Sequence, residues 1–331
     1  MSAPTVLVTR DAPLLAQAAA LRAAVFTGEQ GVDPAIEVDG HDACAAHVVA
    51  IEGADSGGSP PHLLATARLL EVGERAVVGR VAVRCGLRRR GIGAAMMREL
   101  EREAVERGLL VVELHAQVDV EGFYRRLGYQ TVGEHYLEAG IEHVTMTREL
   151  VSGVRAVRDD DAEALQQLIR TTWSEYPGCV LDVDAEEPWL RAPARAYDAA
   201  GKRFWVVEGD RAVRGGDRTA GDGAAGDGAA TVLACVGLRP DEDAEDAFEL
   251  KSLYVAAEAR RSGLGRALTR LVERQAREDG RPKGRLWTDT RFHDAHRLYE
   301  RLGWTRTGAQ RDLHDLSNTT EYEMVRELPK R

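Results

Sequence analysis

The sequence predicts an α/β (α+β) chain of two tandem domains, and three observations predict it. Residues 79–108, GRVAVRCGLRRRGIGAAMMRELEREAVERG, read as a strand, an arginine- and glycine-rich loop and an amphipathic helix. Residues 249–280 repeat that order, with Arg260, Gly263 and Gly265 standing 172 residues after Arg88, Gly91 and Gly93. So long an offset is a whole domain rather than a solenoid unit, and 331 residues suffice for two, divided at 1–151 and 152–331.

Taken in order, Thr5 to Val8 predicts the first strand, and Pro13 to Phe26 a helix with apolar positions at Leu14, Leu15, Ala18, Leu21 and Val25. A loop carrying Glu29, Gln30, Asp39 and Asp42 follows, then a strand that starts at His47. Residues 53–61, GADSGGSPP, are turn formers and predict a hairpin tip. Val81 and Val83 alternate with Ala82 as a strand, and Ile92, Met96, Leu100 and Ala104 share one helix face. Val111 to His115 is the next strand.

The second half repeats the plan. Val154 to Val157 predicts a strand and Asp159 to Trp173 a helix, with Asp159, Asp160 or Asp161 as its cap. Tyr176, Pro177 and Trp189 then accompany Asp182, Asp184, Glu186 and Glu187. Phe204 to Glu208 and Thr231 to Leu238 predict an antiparallel pair around a low-complexity insert, about 209–230, expected to be mobile because it has almost no apolar surface to bury. Leu250, Leu253 and Val255 read as strand, Leu264, Leu268, Leu271 and Val272 as a helix stripe, and Arg285 to Thr288 as the strand after it.

The loops carry the chemistry. Glycine at the strand-to-helix junction lets backbone N–H groups approach a ligand closely, and the helix start favours an anion. Arg88, Arg89 and Arg90 add positive charge, so a di- or triphosphate-like group is the natural guest. Composition narrows the rest. The net charge of −10 divides into −6 for residues 1–150 (15 basic against 21 acidic) and −4 for the remainder (29 against 33), which makes nucleic acid an improbable partner. Cys44, Cys85, Cys179 and Cys235 form no Cys-x-x-Cys pair, and His293 with His296 has no third ligand at suitable spacing, so no disulfide framework and no metal is expected. With no run of eighteen apolar residues and no basic-then-apolar N-terminus, the expectation is a soluble, cytoplasmic chain without a membrane partner.

In both halves the Arg-x-x-Gly-x-Gly loop is followed by a helix, a strand and a Tyr-x-x-Leu-Gly-aromatic turn, Tyr124 to Tyr129 and Tyr299 to Trp304. This pattern resembles the GNAT family of acetyl-CoA-dependent N-acetyltransferases. Neither loop has the third glycine of a dinucleotide fingerprint. Residues 5–150 are similar to the ElaA-like branch, through Val25-Phe26, Glu29-Gln30, Asp39, Asp42, His47, Leu114 to Gln117 and Gly140 to Met146.

The resemblance implies a mixed, largely antiparallel sheet in each half, opened between its central strands by acetyl-CoA, and acetyl transfer to a primary amine of a small molecule by a monomer or homodimer. It places the cofactor's pyrophosphate on Arg88, Arg89, Arg90, Gly91, Ile92 and Gly93, and on Arg260, Arg261, Ser262, Gly263, Leu264 and Gly265. The pantetheine arm would pair with the backbone of Val81 and Val83, or of Leu253 and Val255. Tyr124 and Tyr299 stand where the family has its general acid, and Glu249 where many members have the base. Val77 occupies that place in the first half, which would use Glu113, His115 or water instead. Glu29, Gln30, Tyr176 and Trp189 fall in the acceptor-binding region, and Gln117 and Phe292 where the family often has an asparagine.

Overall fold

The computed structural model describes residues 4–52, 61–199, 201–209 and 231–329. The tips expected at 53–61 and about 209–230 lie almost wholly outside the described residues. The chain divides into two compact units, Met1–Leu150 and Val151–Arg331.

Unit 1 runs β1 (Thr5–Thr9), α1 (Ala12–Arg22), α2 (Pro34–Glu37), β2 (Ala46–Glu52), β3 (His62–Val72), β4 (Arg75–Val83), α3 (Ile92–Glu106), β5 (Val111–Gln117), α4 (Glu121–Arg126), β6 (Gln130–Glu138) and β7 (Ile141–Glu149). Its seven strands form one sheet in the order β1-β2-β3-β4-β5-β7-β6. Unit 2 runs β8 (Val154–Ala156), α5 (Ala162–Ser174), α6 (Pro193–Ala196), β9 (Arg203–Gly209), β10 (Thr231–Pro240), β11 (Ala247–Val255), α7 (Leu264–Glu278), β12 (Lys283–Asp289), α8 (His293–Arg301), β13 (Thr305–Asp312) and β14 (Thr320–Glu327). The sheet order is the same, β8-β9-β10-β11-β12-β14-β13.

Every neighbouring pair is antiparallel except one in each sheet. β4 and β5 run parallel and pair only from Arg75↔Val111 to Val78↔Leu114. β11 and β12 pair only from Ala247↔Lys283 to Glu249↔Arg285. Beyond those residues the two strands part, leaving backbone N–H and C=O groups on an open edge in mid-sheet.

A bulge bends the strand just where the split begins. Thr66 pairs Ala82 and Arg68 pairs Gly79, so Arg80 and Val81 both stand opposite Ala67. Cys235 pairs Tyr254 and Gly237 pairs Lys251, so Ser252 and Leu253 share Val236 in the same way. The extra residue takes a left-handed backbone, φ 54° at Arg80 and 51° at Ser252.

Each sheet carries helices on both faces. In unit 1, Ile92, Met96, Leu100 and Ala104 of α3 pack on Val78, Val112, Leu114 and Met146, while Leu14, Ala18 and Leu21 of α1 cover Val49, Leu63 and Ala82. In unit 2, Leu268, Val272 and Ala276 of α7 meet Phe248, Leu250 and Leu286, while Leu165, Leu168 and Ile169 of α5 cover Phe204 and Val206. A large apolar side chain so buried contributes about 2 kcal/mol, which is why the helical stripes were readable.

Two details differ from the sequence reading. The first helix does not stay regular to Phe26: α1 passes at Ala23 into a π-helical stretch, Ala23–Glu29. Asp161 caps the 3-10 turn Asp159–Asp161 that leads into α5 rather than α5 itself: its carboxylate accepts from the Arg158 amide at 2.7 Å and from both Arg155 Nη groups, while Asp159 accepts from the Ala194 amide at the start of α6.

Candidate active site

The glycine loops build two anion cradles of one design. After β4 the chain makes a single 3-10 turn, Cys85–Leu87, and passes Arg89 at φ 62° and Gly91 at φ 82° before α3 starts at Ile92. After β11 the same steps bring Ala257–Ala259, Arg261 at φ 63° and Gly263 at φ 93° to α7. The first intrahelical bonds are Ala95 N to Gly91 O and Ala267 N to Gly263 O. The N–H groups of Ile92, Gly93 and Ala94, and of Leu264 and Gly265, come before those bonds, and neither cap glycine has a side chain to meet them.

The two glycines of each loop serve different purposes, where the sequence suggested close ligand approach for both. Gly91 and Gly263 are required by their left-handed φ. Gly93 and Gly265 are instead closely covered: a Cβ would lie 3.2 Å from Phe123 Cζ and 2.9 Å from Leu298 Cδ2, so those side chains would have to shift. Phe123 and Leu298 immediately precede Tyr124 and Tyr299, so the glycine loop and the tyrosine helix pack against each other, and the two motifs are one piece of structure.

Arg88 and Arg260 are engaged within the fold. Arg88 Nε donates to Val83 O at 3.1 Å and its Nη2 lies 2.6 Å from Glu29 Oε2. Arg260 Nε donates to Val255 O at 3.0 Å, and its two Nη groups meet Glu175 at 2.5 and 2.8 Å. Ser262 Oγ donates to Ala259 O. The side chains of Val81, Val83, Leu253, Val255 and Leu264 pack toward the α3 or α7 core, where Ile92 is buried. Their contribution to a ligand is therefore main-chain.

Tyr124 and Tyr299 are buried, each packed edge-on or tilted against the aromatic that ends its own turn, Tyr129 or Trp304. Burial pushes the Tyr124 phenol up to about 12 and the Tyr299 phenol upward as well, so both hold their protons at neutral pH. Neither hydroxyl has a hydrogen-bond partner among the described residues.

In unit 1 an ionic network joins buried Arg22, Glu37 and Arg68 to the more exposed Asp39 and Asp42. Arg22 meets Glu37 at 2.5 Å and Asp42 at 2.7 Å, Arg68 holds both Asp39 and Asp42, and Arg80 reaches from the bulge to Asp39 at 3.1 Å. The Arg22 hydrogen bonds, with Arg68, hold the Asp42 carboxyl down at about 2, and Arg68 holds Asp39 lower still. Such carboxylates are poor bases. His115 is the first residue of β5 past the paired segment; its Nδ1 shares a hydrogen bond with the Tyr136 hydroxyl, and its Nε2 lies 3.9 Å from Glu113 Oε1. Tyr136 was not foreseen, because it enters from β6 and only the strand order brings it beside β5.

In unit 2, Glu249 ends the paired segment and lies 3.6 Å from Lys251 Nζ. Glu187 accepts a hydrogen bond from Trp189 Nε1, and burial holds its carboxyl above the ordinary value. Trp189, expected in the acceptor wall, is half-buried and packs with Tyr197 and Phe204 against the core cluster under α5. Asp182 caps its own turn, Asp184 pairs with Arg191, and Glu186 accepts the Leu316 amide. Most of that acidic run is thus structural.

Residues 65–150 match a family model described as Acetyltransferase (GNAT) domain, and residues 165–304 one described as Acetyltransferase (GNAT) family. Protein ElaA of Escherichia coli (strain K12) is 34% identical over 137 residues, covering 40% of this chain and 84% of ElaA. YyaT of Bacillus subtilis (strain 168) is 34% identical over 147 residues, 43% of this chain and 93% of YyaT. The chain belongs to the GNAT acetyltransferase family. A solved acyl-CoA N-acyltransferase from Pseudomonas aeruginosa is 31% identical with a TM-score of 0.39, covering 44% of this chain and 99% of that one.

As a GNAT member the chain is an acyltransferase whose cofactor is acetyl-CoA, and unit 1 has relatives in the ElaA-like branch. The residues present fit that cofactor. Each GNAT unit offers a helix start behind a left-handed cap glycine that has no side chain, and a parted strand pair beside it. The fold brings Arg88–Gly93 together with Val81, Val83, Tyr124 and the end of β5, and Arg260–Gly265 with Leu253, Val255, Tyr299 and the end of β12. No group of described residues has the make-up of a metal site, and no described helix is long and apolar enough to cross a membrane.

Proposed function

We propose that this chain transfers the acetyl group of acetyl-CoA to a primary amine of a small molecule, with one cofactor site in each unit and turnover most secure in unit 2. The observation that carries the reading is the pairing, found twice, of a parted parallel strand pair with a helix start that follows a left-handed cap glycine.

Acetyl-CoA supplies an acetyl group already activated as a thioester. The amides of Gly93 and Ala94, or Leu264 and Gly265, would hold its diphosphate, and the open edge of Val81–Val83 or Leu253–Val255 would orient its arm. A strand amide beside the bulge would supply a donor to the thioester carbonyl oxygen. Tyr124 or Tyr299, holding its proton at neutral pH, would supply a proton to the thioester sulfur. The amine attacks only when neutral, so a base takes its proton: Glu249 or Glu187, the latter held above the ordinary carboxyl range by burial, in unit 2, and His115 in unit 1.

One observation favours a second reading, in which unit 1 binds acyl-CoA and supports unit 2 without turnover. Asp39, Asp42 and Glu37 of unit 1 are all held in ion pairs, and Val77 stands where unit 2 has Glu249. Calorimetry with acetyl-CoA and an amine panel read by thiol release, on the full chain and on its Tyr124→Phe and Tyr299→Phe variants, separate the readings. Two equivalents of cofactor bound, with turnover lowered by either substitution, support a bifunctional enzyme. Turnover lost only with Tyr299→Phe supports the second reading, and no thiol release with any amine sinks both.

A further inference from the structure

Each unit ties the segment that follows its first helix to both sides of its strand split. In unit 1, Glu29 is held by Arg88 at 2.6 Å, and the next residue, Gln30, exchanges two side-chain hydrogen bonds with Gln117 at 3.1 and 2.9 Å. In unit 2, Glu175 is held by Arg260 at 2.5 and 2.8 Å, and the next residue, Tyr176, packs its ring on Phe292 at 4.7 Å between centroids. The two anchors of each pair belong to different strands. Arg88 and Arg260 follow β4 and β11; Gln117 ends β5 and Phe292 follows β12. These are the ends that have parted, so two consecutive residues span the opening.

Stability does not account for this duplication. The ion pairs are partly exposed, with side chains 29–41% accessible, and such a pair is worth about 1 kcal/mol or less. What each pair fixes is the position of the residue after the glutamate. The arginine suits that role because its Nε is occupied by the carbonyl that ends the strand, while the glutamate takes Nη2 of Arg88 or both Nη groups of Arg260, so the planar fork links strand and loop in one geometry.

We propose that residues 29–30 and 175–176 are straps across the mouths of the two splits, that Arg88 and Arg260 are their positioning residues rather than phosphate ligands, and that Gln30 and Tyr176 select the amine. The inference rests on the reading of each split as an acetyl-CoA site. The amide pair of Gln30 and Gln117 presents donors and acceptors, which suits a hydroxylated or amide-bearing amine. Tyr176 and Phe292 present ring faces, which suit an alkyl or aromatic amine arriving as a cation. The two units thus take different amines.

The test uses the full-length chain with both straps altered together, so that neither unit masks the other. In Arg88→Glu/Arg260→Glu the KM for the amine rises about tenfold or more while the acetyl-CoA Kd stays within about threefold. Adding Glu29→Arg/Glu175→Arg restores that KM to within about threefold. Exchange of the selecting pairs, Gln30→Tyr/Gln117→Phe with Tyr176→Gln/Phe292→Gln, moves each unit's preferred amine to the other. An acetyl-CoA Kd weakened about a hundredfold by the arginine changes without rescue would make them phosphate ligands and overturn the proposal. An unchanged amine KM would overturn it equally. Failure of the unaltered chain to bind acetyl-CoA by calorimetry would overturn the site reading and the strap with it, and that measurement tells the two failures apart.

Discussion

Arg80 and Ser252 stand 172 residues apart and take the same left-handed backbone, φ 54° and 51°, in the fourth strand of their respective sheets. Neither is glycine, so each conformation carries strain of about 1 kcal/mol that the surrounding pairing holds in place. The bulge turns the strand off its parallel neighbour, and without that turn the sheet would close. Ser252→Gly is expected to keep or slightly raise the thermal midpoint. Ser252→Val, β-branched at a positive φ, is expected to lower unit 2 stability by about 1–2 kcal/mol and to weaken acetyl-CoA uptake, read by calorimetry and melting on the same samples. A valine variant with unaltered midpoint and uptake would separate the bulge from the site.

The two buried tyrosines predict a pH signature. The Tyr124 phenol is pushed up to about 12 from an ordinary 10.0 by burial, so its protonated form persists throughout the working range. Turnover should therefore show no alkaline loss from this group below about pH 11. The stability linked to the shift is fully present below pH 10.0 and is lost as pH rises through about 12. Tyr124→Phe combined with Tyr299→Phe should cut turnover about a hundredfold with acetyl-CoA affinity nearly unchanged. Turnover close to that of the unaltered chain would remove both residues from the acid role.

Unit 1 should be acid-sensitive through its ionic network. The Asp42 carboxyl, lowered from 3.8 to about 2 chiefly by its hydrogen bonds from Arg22, contributes stability that is present above pH 3.8 and lost as pH falls through about 2. Glu37→Gln removes the buried partner of a buried arginine, and is expected to cost about 3 kcal/mol, since Asp42 still faces Arg22. Chemical unfolding at pH 7 measures the cost; one below about 0.5 kcal/mol would show the network to be dispensable.

Gly265 tests the link between loop and tyrosine helix. A Cβ there would lie 2.9 Å from Leu298 Cδ2, so Gly265→Val should push α8 from the loop, lowering both cofactor affinity and turnover of unit 2. Gly263→Val acts through its φ of 93° instead and should depress affinity without that steric route. Suppression of the Gly265→Val defect by Leu298→Ala, but not of the Gly263→Val defect, is the expected outcome of the double-variant comparison.

Glu187 gives the pH-rate curve a second handle. Its carboxyl is held above the ordinary value by burial, so as a proton acceptor it becomes competent only at correspondingly higher pH. Glu187→Gln should remove or shift the acidic limb of kcat/KM, whereas Glu249→Gln, at a carboxylate beside Lys251, should lower the plateau. An acidic limb that stays in place in Glu187→Gln would exclude that residue as the base.

The sequence by itself determined the repeat, the two glycine loops, the tyrosine turns and the strands and helices around them. All of these depend on local signals: apolar period, glycine at a turn and spacing between motifs. It also placed Glu29, Gln30 and Tyr176 near the mouth of a cleft. Only the tertiary structure decided what those residues touch. Arg88 reads from the sequence as charge beside a glycine loop, and only the fold shows that it also pairs with Glu29, 59 positions earlier. Trp189 is half-buried against the α5 cluster, a contact the sequence did not show, while Tyr136 was invisible until β6 lay across β7 from β5. Pairings between residues far apart in the chain leave no periodicity to read, because they are set by strand order and by which face a bulge turns a side chain toward.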